Sequence, residues 1–196
     1  MDKNYSWDLD TDTTSAWAWQ RGILNVEDCN KIIDLGLSIP CVEAHLGQER
    51  SIDLAVRQGK IAFFDPKNPE HQFIFHTVAD YGKALNNQFW KFDLKFVECV
   101  QFTRYDNQDD FYTSHVDMGY KPAEVRKLSI SIQLSNPDSY TGGNLELFRC
   151  GTDFDAAPRS QGTIIAFPSY HVHRVTPVTS GARYSLVSWF IGPPFK

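Results

Sequence analysis

His115 and Asp117 stand with one residue between them in Phe111-Tyr-Thr-Ser-His-Val-Asp-Met-Gly-Tyr120. Two further imidazoles, His171 and His173, open the segment His171-Val-His-Arg-Val-Thr-Pro-Val-Thr-Ser-Gly-Ala-Arg183. On an extended strand, side chains at positions i and i+2 share a face, so His115 and Asp117 can reach one ion together. Two imidazoles and one carboxylate on one face of a metal form the ligand set of a mononuclear non-haem iron(II) site. Such a site keeps its remaining positions open, and a chelating 2-oxo acid and O2 could share them. Strand parity does not choose between His171 and His173 as the third ligand. An arginine, Arg183, follows His173 by ten residues. That spacing points to an iron oxygenase that also binds a dicarboxylate. A His-x-Asp pair alone is more often a surface pair in a turn; the downstream segment gives it the weight of a metal site.

The elements that must carry these residues fit a single domain. The chain has 196 residues, 42% of them apolar and 14% aromatic, enough for a buried core. We expect residues 1–91 to form a helical and edge-strand support, and residues 92–194 the catalytic core. Net charge is −5, from 24 acidic and 19 basic residues. No Lys/Arg cluster occurs, which argues against nucleic acid as a partner. No apolar run has membrane-spanning length. The polar start, Met1 to Asp8, lacks an apolar signal core, so a cytoplasmic location is expected. The four cysteines, Cys29, Cys41, Cys99 and Cys150, contain no Cys-x-x-Cys and read as reduced thiols rather than zinc ligands.

Residues 1–21, with Trp7, Trp17 and Trp19, read as an irregular or edge-strand start. Asn25 followed by Glu27 and Asp28 has the pattern of a helix N-cap, and Cys29, Ile32, Ile33 and Leu35 supply an apolar stripe. Pro69 opens a second helix with the stripe Ile74, Val78, Tyr81 and Leu85. After Trp90 the apolar period becomes two, first in Phe92 to Phe102 and then in short runs at 127–135, 144–148, 163–167, 172–176 and 183–191. Turn signals separate these runs. The fold class is therefore mostly β with flanking helices: a double-stranded β-helix (jelly roll, cupin-like) with the N-terminal helices packed on one sheet. In Leu128-Ser-Ile-Ser-Ile-Gln-Leu134 one face is aliphatic, and the other is Ser129, Ser131 and Gln133. A solvated outer face is the commoner meaning of that pattern. Beside a metal motif it reads as the lining of a polar pocket.

The chain resembles the prolyl 4-hydroxylase-like branch of the 2-oxoglutarate/Fe(II) dioxygenases, and within it the PKHD-type hydroxylases. The resemblance rests on Gln101-Phe-Thr-Arg-Tyr105, His115-Val-Asp117, Arg126-Lys-Leu-Ser-Ile-Ser-Ile-Gln-Leu-Ser135, Gly142-Gly-Asn-Leu-Glu-Leu147, Gly162-Thr-Ile-Ile-Ala-Phe-Pro168, His173-Arg-Val-Thr-Pro-Val178 and Gly181-Ala-Arg-Tyr184, all in order. It implies Fe(II) held by His115, Asp117 and His173, with the spacing to Arg183 favouring His173 over His171. It implies 2-oxoglutarate as co-substrate, O2 as oxidant and ascorbate in support. Arg183 would grip the far carboxylate of 2-oxoglutarate through its planar fork, with Tyr105 hydrogen-bonding the same molecule. Gln133 stands where relatives often carry a co-substrate tyrosine, and its amide could serve instead. Asn144 receives no role.

The activity implied is hydroxylation of an unactivated C–H bond, first of a prolyl or other side chain in a peptide or protein. Hydroxylation of a free amino acid or small metabolite is the alternative. A metal- and 2-oxoglutarate-binding sensor without turnover is a third reading, against which the complete ligand set argues. The substrate rim is assigned to Arg57 and Tyr112. The segment 50–68 reads as a β-hairpin packed on the sheet or, second, as a lid. The acidic loop Asp106–Asp110 is expected to steer basic peptides to the rim.

Overall fold

A computed structural model describes residues 15–44, 56–119 and 125–195. The chain order is β1 (Ala18–Gln20), α1 (Val26–Ser38), β2 (Val42–Glu43), β3 (Arg57–Gln58), β4 (Lys60–Phe63), a 3-10 turn (Pro69–His71) and α2 (Gln72–Phe89). Then come β5 (Phe96–Tyr105), β6 (Phe111–His115), β7 (Val125–Gln133), β8 (Tyr140–Gly142), β9 (Leu145–Cys150) and β10 (Asp153–Ala156). The last elements are β11 (Ile164–Pro168), β12 (His173–Val175), β13 (Val178–Gly181) and β14 (Arg183–Gly192). A seven-stranded sheet runs β1-β11-β7-β14-β5-β4-β2, a five-stranded sheet runs β10-β9-β12-β6-β3, and β13 pairs with β8. All pairings are antiparallel, and the architecture is the expected jelly roll.

Both helices form where the sequence places them, for local reasons. The Asn25 side chain accepts from the Asp28 N–H at 2.8 Å, capping α1. Asn68 accepts from the Glu70 N–H at 3.0 Å, and Pro69 belongs to the 3-10 turn that leads into α2 rather than to the α-helix itself. The apolar stripes of both helices pack on one face of the large sheet, against Val100, Phe102, Leu128, Ile130, Ile132, Leu186 and Phe190. Contact is close: a Cβ at Gly82 would stand 2.3 Å from Cζ of Phe190, so only glycine fits there.

The opposite face of the large sheet looks into the jelly roll. On β7 the aliphatic residues go to the helices, while Ser129, Ser131 and Gln133 are buried on the inner side. That face is a pocket wall and not a solvated surface. On β11 the same alternation sends Ile164 and Ala166 outward and Ile165 and Phe167 inward, to a second core with Leu145, Leu147, Val175 and Tyr105.

Some boundaries differ from expectation. Residues 92–95 are not strand, although Phe92 and Leu94 still pack on the helix-side core. Trp7 and residues 50–55 lie outside the described residues. Among the described residues of the 50–68 segment, β3 pairs with β6 in the small sheet and β4 pairs with β5 and β2 in the large one. The chain crosses between sheets at Gly59, so 57–63 bridges the two sheets instead of pairing with itself as a hairpin.

Candidate active site

His115 ends β6, and His173 opens β12 directly opposite it in the strand register. Asp117 lies two residues past His115, with its N–H and that of Met118 both bonded to the Ser169 carbonyl at 2.9 Å. One ligand atom from each of His115, Asp117 and His173 falls within 4.8 Å of the others. Nε2 of His115 is 3.6 Å from Oδ1 of Asp117, and Nε2 of His173 is 3.5 Å from Oδ2. The two imidazole Nδ1 atoms face backbone carbonyls, Thr113 O at 2.7 Å for His115 and His171 O at 3.0 Å for His173. A carbonyl only accepts, so each Nδ1 carries the proton and each Nε2 turns its lone pair toward the shared point. His171 contributes that carbonyl, not its ring.

The second oxygen contact of the carboxylate is set by β7. Ser129 Oγ donates to Oδ2 of Asp117 at 2.7 Å and is itself 2.9 Å from Ser169 Oγ. Burial pushes the Asp117 carboxyl up, but His173, His115 and the Ser129 hydrogen bond outweigh it and hold the acid below its ordinary value. Burial pulls His115 down to about 4, and the neighbouring His173 adds to the shift. The site at rest is thus a carboxylate and a neutral imidazole, the forms a metal ion takes. Two nitrogens and one oxygen on one side of a cavity suit Fe(II).

That cavity measures about 880 Å³ and is lined by both sheets. Arg183 enters it from β14, 1% exposed. Its Nη2 donates to Oε1 of Gln133 at 3.0 Å and its Nη1 to Ser185 Oγ at 3.4 Å, while Nε is buried without a partner. Tyr105, its cross-strand neighbour, places its ring 5.5 Å from the guanidinium. No ion pair to Arg183 occurs among the described residues. A buried guanidinium with only neutral partners fits a carboxylate ligand.

Arg57 and Tyr112 also line the cavity. Arg57 sits inside it rather than on its rim, 8% exposed, and Tyr112 is half-buried. A register shift between β6 and β12 explains how Tyr112 and His115, three residues apart, both face inward. Their rings stack with centroids 3.5 Å apart. The acidic loop departs from expectation. Asp110 is buried, accepting from the N–H groups of Asp106 and Asn107 at 3.0 and 2.9 Å. Asp106 pairs with Arg104 and, at 3.8 Å, with Lys60. Those two carboxylates hold the turn together and do not line the cavity, which leaves Asp109 as the exposed acid of the loop, also outside the cavity lining. Asn144 accepts from Arg159 at 2.8 Å, a structural contact.

Sequence reasoning did not single out Ser129 as the prop of Asp117. Its signal was its place on the polar face of β7, in register with the metal motif only once the sheet is folded.

Residues 100–191 match the family model of the 2OG-Fe(II) oxygenase superfamily. The chain is 41% identical over 121 residues to a PKHD-type hydroxylase of Hyphomonas neptunium, a match covering 58% of this chain and 48% of that protein. It is 40% identical over 78 residues to a PKHD-type hydroxylase of Synechococcus sp., covering 40% and 35% respectively. The chain spans about half, or less, of the length of the curated relatives it matches. A Pseudomonas putida prolyl-4-hydroxylase shares the fold with a TM-score of 0.67 at 20% identity, over 91% of this chain and 94% of that one. A prolyl hydroxylase from Trichoplax adhaerens, solved with a peptide fragment of a hypoxia inducible factor oxygen degradation domain, gives 0.72 at 14% identity, over 89% and 83%. The chain is thus similar to the 2OG-Fe(II) oxygenase superfamily over residues 100–191 and to PKHD-type hydroxylases over part of their length. That family implies Fe(II), 2-oxoglutarate and O2.

Proposed function

We propose that this chain is a 2-oxoglutarate- and Fe(II)-dependent dioxygenase that hydroxylates an unactivated C–H bond, in a prolyl or other side chain of a peptide. The observation that carries the reading is one cavity holding both the His115–Asp117–His173 cluster and the buried, carboxylate-free Arg183. His115, Asp117 and His173 hold the metal through atoms whose orientation Thr113, Ser129 and the His171 carbonyl set. Arg183 takes the distal carboxylate of 2-oxoglutarate, with Gln133 steadying its fork and Tyr105 beside it. The iron and its co-substrate, when bound, supply oxygen activation coupled to decarboxylation of 2-oxoglutarate to succinate and CO2. The protein positions the reacting C–H bond and keeps bulk water from the site. The described residues serve this as one unit, the helices stiffening the sheet that bears Arg183 and Ser129.

A peptide substrate is supported by the exposed apolar residues Val42, Phe63 and Val116 at the edge of the same cavity, and by the peptide bound to the Trichoplax relative. The four free cysteines agree with a reducing compartment, the cytoplasm. Among the described residues no helix is long and apolar enough to cross a membrane.

Succinate formation with Fe(II), 2-oxoglutarate and O2 tests the proposal, run with and without ascorbate across proline-containing peptides and free amino acids. The expected result is succinate coupled to a peptide product heavier by one oxygen. Turnover of free amino acids with every peptide silent would replace the peptide by a metabolite. Metal and 2-oxoglutarate binding with no succinate at all would leave a sensor.

A further inference from the structure

Among the described residues, both carboxylates that line the cavity, Asp117 and Glu98, are committed. Asp117 faces the two imidazoles, Glu98 pairs with Arg126 at 2.6 Å, Asp106 pairs with Arg104, and Asp110 caps its own turn. Arg57 is different. It is 8% exposed, its Nε is buried without a hydrogen-bond partner, and no ion pair to it occurs among the described residues. Its guanidinium lies over the Tyr112 ring, 4.5 Å from the centroid, and the Tyr112 ring lies 3.5 Å from that of His115. A cation stacked on an aromatic ring keeps its in-plane N–H groups free to bond elsewhere.

An unpaired buried charge is unfavourable unless something supplies the counter-charge. Arg183 serves the co-substrate in the function proposed above, and Arg57 is a second cation without an ion pair in the same cavity, one aromatic ring away from the metal cluster. We infer that Arg57 is a specificity-determining residue that binds a carboxylate on the substrate to be hydroxylated. The inference rests on the hydroxylase reading. It reverses the preference expected from the acidic loop: the substrate is acidic where it meets the cavity. The exposed Val42, Phe63 and Val116 fit an uncharged, apolar stretch of the same molecule. The carboxylate has two possible sources, an Asp or Glu side chain beside the target residue of a peptide, or the α-carboxylate of a small acid.

The experiment uses the intact chain with Fe(II) and 2-oxoglutarate under anaerobic conditions, so that binding is read without turnover. End-blocked peptides with one proline carry Glu, Gln or Lys at each neighbouring position, and N-acetylproline is compared with N-acetylprolinamide. Calorimetry should show one Glu peptide, or N-acetylproline, binding at least ~10-fold tighter than its neutral match. Which pair shows the difference identifies the source. Arg57→Gln should erase the difference and Arg57→Glu should invert it toward the Lys peptide, with circular dichroism confirming that both fold. Equal binding of charged and neutral partners by the wild type overturns the inference, as does an undiminished preference in folded Arg57→Gln. Succinate formation by the wild type in air reports on the hydroxylase reading separately. Succinate without a carboxylate preference removes the anion site alone; a carboxylate preference without succinate removes the hydroxylase alone.

Discussion

The side-chain carbonyl of Gln133 accepts a hydrogen bond from Nη2 of Arg183 at 3.0 Å, strand beside strand in the large sheet. The amide therefore acts on the arginine, aiming its fork. Gln133→Leu removes a hydrogen bond to a charged group, worth ~1.5–3 kcal/mol. The KM for 2-oxoglutarate should rise by roughly 10-fold or more. Gln133→Glu should raise it further, because a carboxylate there would neutralise Arg183 from within. An unchanged KM in both variants would detach Gln133 from the co-substrate.

Gly143 sits in the left-handed region with φ +60, and a Cβ there would meet Val178 Cγ2 at 2.9 Å and Arg183 Cδ at 3.0 Å. Gly143→Ala should lose ~1–2 kcal/mol of stability from the backbone conformation alone. It should also raise the KM for 2-oxoglutarate by displacing Arg183. Urea unfolding and steady-state kinetics read the two effects independently.

Metal binding should be lost in His115→Ala, Asp117→Ala and His173→Ala and kept in His171→Ala, since His171 holds Nδ1 of His173 through its backbone carbonyl. Ser129→Ala frees one carboxylate oxygen and should weaken the metal by ~10–100-fold. Competition with a coloured chelator measures all five. Loss of metal in His171→Ala with retention in His173→Ala would reassign the ligand.

The metal-free protein should lose stability as the pH falls from 6.5 toward about 4. Burial, with a contribution from His173, lowers His115 to about 4 from its ordinary 6.5. In that window the unfolded chain binds the proton and the native state does not, so acid favours unfolding. Asp117, itself lowered, adds a further loss below its ordinary 3.8. Urea midpoints across this range should slope upward with pH, and His115→Gln should flatten the slope.

Much of this protein is legible from residue order, because the interactions involved are local or periodic. Asn25 caps α1 from three residues away, the alternation in Leu128 to Leu134 separates the helix face from the pocket face, and His115 and Asp117 reach one point because they are two residues apart. The tertiary structure decided what depends on contacts across the sheets. Only the folded register sets His173 opposite His115, brings Ser129 to Asp117 and places Gln133 on Arg183. The irregular β6–β12 pairing turns Tyr112 inward against its strand parity, and the chain crossing at Gly59 delivers Arg57 to its ring. Charge was the least legible property. Two of the loop carboxylates, Asp106 and Asp110, read as free in sequence and are consumed by Arg104 and by backbone N–H groups, whereas Arg57 and Arg183 line the cavity without a counter-charge among the described residues. Sequence supplies the number of charges, and only packing determines which of them are neutralised inside the protein.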